Sequence, residues 1–233
     1  MSVLVLYYKV TPERMSSAKL TEQIAYWIEE LPKIKQEQIK KLRQQKSQVL
    51  SLAGLQLLKT GFTEFTDSPF SLQQLQFPPQ AKPFFEGHID FNISHSEDIV
   101  CCVLSDSAKV GIDIELQREV KAATFNKFLN QAENLQKNSS VNNKQHFFDL
   151  WTKNEAIIKG ANHGSIYNMD EIKHEQHGGH YQNGFWYTYP IEIVPVEENK
   201  EYTCQIACSE KIKEQIKVTQ IYTLYKGSST CVL

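Results

Sequence analysis

The segment Lys109-Val110-Gly111-Ile112-Asp113-Ile114-Glu115-Leu116 alternates apolar and other residues without a break. On an extended strand Val110, Ile112, Ile114 and Leu116 face one way, and Gly111, Asp113 and Glu115 face the other. The two carboxylates then stand about 6.5–7 Å apart, and Gly111 leaves their face open for a ligand's approach. A bare D-x-E of this kind is more often a solvated strand face. Further along, Phe147, Leu150, Trp151, Ile157, Ile158 and Ala161 fall on one stripe at about 100° per residue. Glu155 and Lys159 lie one turn apart just off that stripe, beside Phe148 and Thr152. As an isolated i,i+4 ion pair they would contribute only ~0.3–0.5 kcal/mol. Taken together, three carboxylates with a lysine beside them suit a divalent cation over a phosphate. Hard oxygen ligands fit Mg²⁺, which keeps several waters and shares its other positions with substrate phosphates. A third group comes from Phe91-Asn92-Ile93-Ser94-His95-Ser96. Phe91 and Ile93 point inward, and the strand ends by presenting Ser94 and His95, a hydroxyl and an imidazole suited to a phosphate. A lone histidine at a strand end is more often merely exposed.

These groups need strands and helices to hold them. Residues 3–10 read as a strand. Ile24, Trp27, Ile28 and Leu31 give residues 21–31 a helical period that Pro32 stops. A longer helix is expected over 36–59, ended by Gly61, followed by an irregular stretch over 66–90 rich in Pro and Gln. Three strands follow, at 89–93, 99–104 and 109–116, and Ser105-Asp106-Ser107 predicts that the last two pair antiparallel. Residues 121–137 read as helix and 137–144 as a loop. A strong amphipathic helix covers 145–161, and the tail is mostly strand, at 184–196, 202–209 and 218–225. Strand and helix mix in both halves, so the fold class is α+β. No repeat appears at a fixed period, although two similar halves can hide beneath diverged sequence.

Composition narrows the function classes. The 233 residues are 41% hydrophobic and 22% charged, the balance of an ordinary globular protein. A formal net charge of −2 supplies no basic field for non-specific nucleic-acid binding, so any anion must be held by a local patch. The first ten residues read as a strand rather than a signal peptide, and no stretch has the ~18 apolar residues of a membrane span. Cys101, Cys102, Cys204, Cys208 and Cys231 show no C-x-x-C spacing, which predicts reduced thiols in a cytoplasmic protein.

In order, Asn92-Ile93-Ser94-His95-Ser96, Val110-Gly111-Ile112-Asp113-Ile114-Glu115 and Trp151-Thr152-Lys153-Asn154-Glu155-Ala156-Ile157-Ile158-Lys159 resemble the three signature blocks of the 4'-phosphopantetheinyl transferase superfamily. The resemblance is close over roughly 82–160 and looser elsewhere. Chain length and the W-x-x-x-E-x-x-x-K form are similar to the larger, surfactin-synthetase-activating type. That type is a pseudo-dimer of two α+β halves, here expected at 1–107 and 108–233, with the active site between them. The resemblance implies transfer of the phosphopantetheine arm of coenzyme A to a serine of an acyl or peptidyl carrier protein. It implies Mg²⁺ on Asp113, Glu115 and Glu155, with Glu155 also taking the serine proton. Lys159 would stabilise the pyrophosphate and assist departure of 3',5'-ADP. Ser94 and His95 would contact coenzyme A phosphate. Lys82-Pro83 resembles the family's G-K-P element near the adenosine, with Ala81 in place of its Gly. A monomer acting on coenzyme A and a carrier protein, without nucleic acid or membrane, is the implied arrangement.

Two positions depart from the pattern. Asn154 stands where the family often has Lys, and Lys153 lies about 160° around the helix from Glu155. The family's Arg in the long N-terminal helix is replaced by Ser47-Gln48-Val49-Leu50-Ser51; Lys40, Lys41, Arg43 and Lys46 lie just before, and either bind the 3'-phosphate or form a solvated face. His174, His177 and His180 have a metal-like spacing, but they read as a hairpin loop lacking rigid convergence. Phe125, Phe128 and Leu129 with Lys121, Lys127 and Lys137 form a candidate docking face for an acidic carrier protein, or else an ordinary packed helix. The competing readings are another carboxylate-triad Mg²⁺ enzyme, such as a nucleotide pyrophosphohydrolase, and a non-catalytic coenzyme A or carrier-protein binding module.

Overall fold

The structure is a computed structural model and describes residues 1–15, 19–66, 70–79, 81–120, 143–162 and 166–224. The expected docking helix over 121–137 and Cys231 lie outside the described residues. The chain opens with β1 (Val3–Lys9), then α1 (Pro12–Met15), α2 (Leu20–Glu29), α3 (Lys33–Lys40) and α4 (Gln45–Thr66). A hairpin of β2 (Asp90–Ser96) and β3 (Ile99–Ser105) leads to β4 (Val110–Leu116). After α5 (Asn143–Gly160) come β5 (Lys173–Glu175), β6 (Gly178–Tyr181), β7 (Gly184–Pro190), β8 (Tyr202–Cys208) and β9 (Lys217–Ile221).

Alternation along the strands makes four layers. Leu4, Leu6 and Tyr8 of β1 pack with Trp27, Leu52, Ala53 and Leu57 of the helices. Val3, Val5 and Tyr7, on its other face, join Ile112 and Ile114 of β4 and Ile206 of β8. A second sheet therefore covers the first, and α5 covers the second sheet through Ala156, Ile157 and Ile158 against Trp186 and Ala207. The sheets run β2-β3-β1-β9 and β4-β8-β7-β6-β5. Both contain the same unit: a strand, a helix and a hairpin whose second strand lies centrally, antiparallel to both neighbours (β1, α4, β2, β3 and then β4, α5, β7, β8). β9 returns to pair parallel with β1, so the sheets do not divide at one point in the chain.

Several expectations change. β3 and β4 do not pair; β3 lies between β2 and β1 while β4 pairs with β8. The antiparallel partner of β3 in sequence is β2, through a tight turn in which Glu97 takes a left-handed φ of 49°. The single helix expected over 36–59 is two helices with a break at 41–44. Gly61 does not end α4: a Cβ there would lie 2.6 Å from Leu104 Cδ1, so the glycine serves close packing on the sheet. The strand expected at 184–196 stops at Pro190, and β5–β6 occupies the place of the expected loop.

Candidate active site

The carboxylates lie on the face of β4 that α5 covers. Gly111 is packed against helix backbone, since a Cβ there would fall 1.9 Å from the Ala156 carbonyl oxygen and 2.5 Å from the Gly160 nitrogen. That corrects its reading as an opening for a ligand: the missing side chain admits the helix. With α5 this close, Glu155 and Lys159 come down beside Asp113 and Glu115. Lys159 Nζ lies 2.5 Å from Asp113 Oδ1 and 4.0 Å from Glu155 Oε2, so one ammonium reaches both carboxylates.

The third contributor is β2, across the junction between the sheets. Ser94 donates to Asp113 Oδ1 at 3.0 Å and accepts from Lys159 Nζ at 3.2 Å. Ser96 donates to Glu115 Oε2 at 3.1 Å and accepts from the Leu116 N–H at 3.0 Å. Asn92 Oδ1 and Asp90 Oδ2 accept from the Ile112 and Val110 N–H groups. Every second side chain of β2 thus bonds to β4, taking the part of a missing backbone ladder. Period-two polarity in Asp90, Asn92, Ser94 and Ser96 was visible in the sequence. Its meaning was not, because nothing local says which edge those side chains meet.

Asp113 is only 3% exposed, and its second oxygen, Oδ2, is buried without a hydrogen-bond partner. Desolvation raises its pKa, against the pull of Lys159 and Ser94. The Glu115 carboxyl is raised by desolvation and then by the charge of Asp113. Desolvation also raises Glu155, with Lys159 opposing and Asp113 and Glu115 adding to it. Three carboxylates that repel one another in reduced solvent form a site short of positive charge. Among the described residues no three His, Cys, Asp or Glu side chains stand close enough to hold a metal as they are. Lys159 supplies the counter-charge instead. The unpartnered Asp113 oxygen and the all-oxygen donor set nevertheless fit a hard divalent cation.

Ser94 and His95 lie on opposite faces of β2. Adjacent strand residues point to opposite faces, and His95 is exposed on the face of Phe91 and Ile93. Partial loss of solvent around its ring, then the Lys159 charge, lower its pKa. Lys41 ends α3 with its side chain exposed. Lys46 is the basic residue of that stretch tied to β2, through Asp98 at 2.8 Å and Glu97 at 3.2 Å in the turn after His95 and Ser96. Lys82 is engaged elsewhere. Its side chain is 8% exposed, and its ammonium lies 2.6 Å from Asp90 and 2.7 Å from the Val110 carbonyl, at the opposite end of β2 from His95. Pro83 follows it, half-buried. Asn154 is 2% exposed with an unpartnered Oδ1, so its side chain belongs to the helix interior. His180 pairs with Glu175 at 3.1 Å, while His174 is half-buried with its pKa lowered to about 4, chiefly by desolvation. The two lie on opposite faces of the β5–β6 hairpin and do not converge.

Residues 109–207, from the start of β4 through α5 into β8, match the sequence model of the 4'-phosphopantetheinyl transferase superfamily. Over these residues the chain is similar to that superfamily. It is 40% identical over 85 residues to the 4'-phosphopantetheinyl transferase gsp of Aneurinibacillus migulanus, covering 36% of this chain and 35% of that one. It is 32% identical over 133 residues to the 4'-phosphopantetheinyl transferase AcpT of Escherichia coli K12, covering 53% and 64%. A putative 4'-phosphopantetheinyl transferase of Haemophilus influenzae is 27% identical over 172 residues, covering 66% and 72%. The chain thus spans about a third and just under two thirds of the first two relatives' length. Within the matched region fall Asp113, Glu115, Glu155 and Lys159; Ser94, Ser96 and His95 lie before it. Among the described residues no helix is long and apolar enough to cross a membrane.

Proposed function

We propose that the chain transfers the 4'-phosphopantetheine arm of coenzyme A to a serine of an apo acyl or peptidyl carrier protein, releasing 3',5'-ADP. The observation that carries this reading is the meeting of Asp113 and Glu115 from β4, Glu155 and Lys159 from α5, and Ser94 from β2 at one place. Asp113, Glu115 and Glu155 would hold Mg²⁺, which when bound supplies charge neutralisation on the pyrophosphate. The chain's own groups account for the rest. Glu155, whose pKa desolvation raises against the pull of Lys159, accepts the proton of the carrier serine directly or through water. The serine oxygen bonds to the phosphorus bearing pantetheine, and the bond from that phosphorus to the departing 3',5'-ADP oxygen breaks. Lys159 turns from Asp113 toward the pyrophosphate and meets the charge that develops there. His95, Ser94 and the basic stretch of Lys41 and Lys46 flank the coenzyme A phosphates, with Lys82-Pro83 toward the adenosine. A cytoplasmic monomer agrees with this reading.

The test mixes the protein with an apo carrier protein, coenzyme A and Mg²⁺. A phosphopantetheine mass increment on the carrier, abolished by EDTA, is the expected outcome. Release of 3',5'-ADP without any carrier would mark a pyrophosphohydrolase instead and sink the transferase reading.

A further inference from the structure

Ser96 stands outside the set that the sequence pattern assigned to substrate or metal, yet its hydroxyl is fully committed at the site. It accepts the Leu116 N–H at 3.0 Å, which uses one lone pair and directs its proton elsewhere. That proton goes to Glu115 Oε2 at 3.1 Å. A hydroxyl has a single proton, so the backbone bond fixes which partner is donor and turns Ser96 into a one-way clamp on the carboxylate. Glu115 needs one. It is half-buried near the edge of the β4 face, Asp113 repels it, and no described salt bridge holds it. Asp113, two residues earlier, has both Ser94 and Lys159.

We propose that Ser96 is a positioning residue that holds Glu115 in the orientation needed to bind the divalent cation. The proposal deepens the metal-site reading above and rests on it. Ser96 touches no reacting atom; it acts through Glu115 and links the β2 half of the molecule to a ligand on β4. Groups that orient metal ligands typically cost about 10–100-fold in metal affinity when removed. A neighbour supplies the control: Asn92 Oδ1 accepts the Ile112 N–H at 3.0 Å, a bond of the same kind across the same junction, with no described bond to a carboxylate.

The experiment is calorimetric titration of Mg²⁺ into the full chain with saturating coenzyme A and no carrier protein, paired with thermal melts in EDTA. Ser96→Ala should raise the Mg²⁺ dissociation constant about tenfold, Ser96→Thr, which keeps the hydroxyl, should restore it, and Asn92→Ala should lower the melting temperature without moving it. In turnover, Ser96→Ala should raise the KM for Mg²⁺ while kcat recovers at saturating metal. Wild-type affinity in Ser96→Ala overturns the proposal, as does equal weakening in Asn92→Ala, which would make the junction as a whole responsible. A wild type that binds no Mg²⁺ beside coenzyme A overturns the metal-site reading itself and this inference with it.

Discussion

Asp113 keeps a carboxylate where solvent scarcely reaches, and its raised pKa has a consequence for stability. A carboxyl whose folded-state pKa lies above its unfolded value binds its proton better when folded. Ionised Asp113 therefore subtracts stability above the raised pKa and stops doing so as pH falls through it. The metal-free protein should show this directly. In EDTA, Asp113→Asn should melt higher than wild type at pH 8, with the gap closing as pH is lowered through the acid range. The same variant should lose transfer by roughly 10²–10³-fold. A variant that melts below wild type at every pH would mean that the Lys159 pair outweighs desolvation.

The same site depends on how closely α5 lies on β4. Gly111 on the strand admits the helix backbone, and Gly160 on the helix lies under Trp186, 2.6 Å from where its Cβ would be. Glu155 and Lys159 reach Asp113 because nothing larger intervenes. Gly111→Ala sets a methyl against backbone atoms that cannot rotate away, so the helix must shift, at a cost of about 1–3 kcal/mol or more. We expect a fall in melting temperature together with a loss of transfer that persists at temperatures where the variant remains folded. Full transfer in a destabilised Gly111→Ala would show that the helix approach is not what sets the site. The wheel placed Glu155 and Lys159 beside Phe148 and Thr152, as found. It missed how fully α5 is buried, since Thr152 and Asn154 read as polar and lie inside.

Across the whole molecule the two strand–helix–hairpin units share a packed core between their sheets and also join at an edge, β2 of the first against β4 of the second. Such a head-to-tail junction leaves one free edge on each unit, and both are extended: β1 by β9, and β7 by β6 and β5. Lys82 braces the end of the junction away from the carboxylates, its ammonium between Asp90 and Val110 and its N–H on Asn162 Oδ1 at 2.6 Å. Desolvation lowers its pKa while Asp90 opposes. Removing one member of a buried pair costs on the order of 3 kcal/mol, so Lys82→Met should lower the melting temperature markedly. If Lys82 instead serves the adenosine, the variant keeps its melting temperature and shows a higher KM for coenzyme A; kinetics and a melt together separate the roles.

The chain by itself determined the chemistry available: alternation set Asp113 and Glu115 on one strand face, helical spacing put Glu155 one turn from Lys159, and the ordered blocks carried the resemblance to the superfamily. Those relations are short-range, governed by strand and helix periods that survive in any context. Strand pairing was another matter. The turn at Ser105-Asp106-Ser107 suggested β3 with β4, but hydrogen-bonding edges are alike in sequence, and burial of two faces in different cores sent them to different sheets. The break between α3 and α4, the return of β9, the burial of Asn154 and the bracing by Lys82 were likewise settled by packing. So was the role of Ser96, because a hydroxyl on one strand finds its carboxylate on another only when strand edges some twenty residues apart in sequence are brought together.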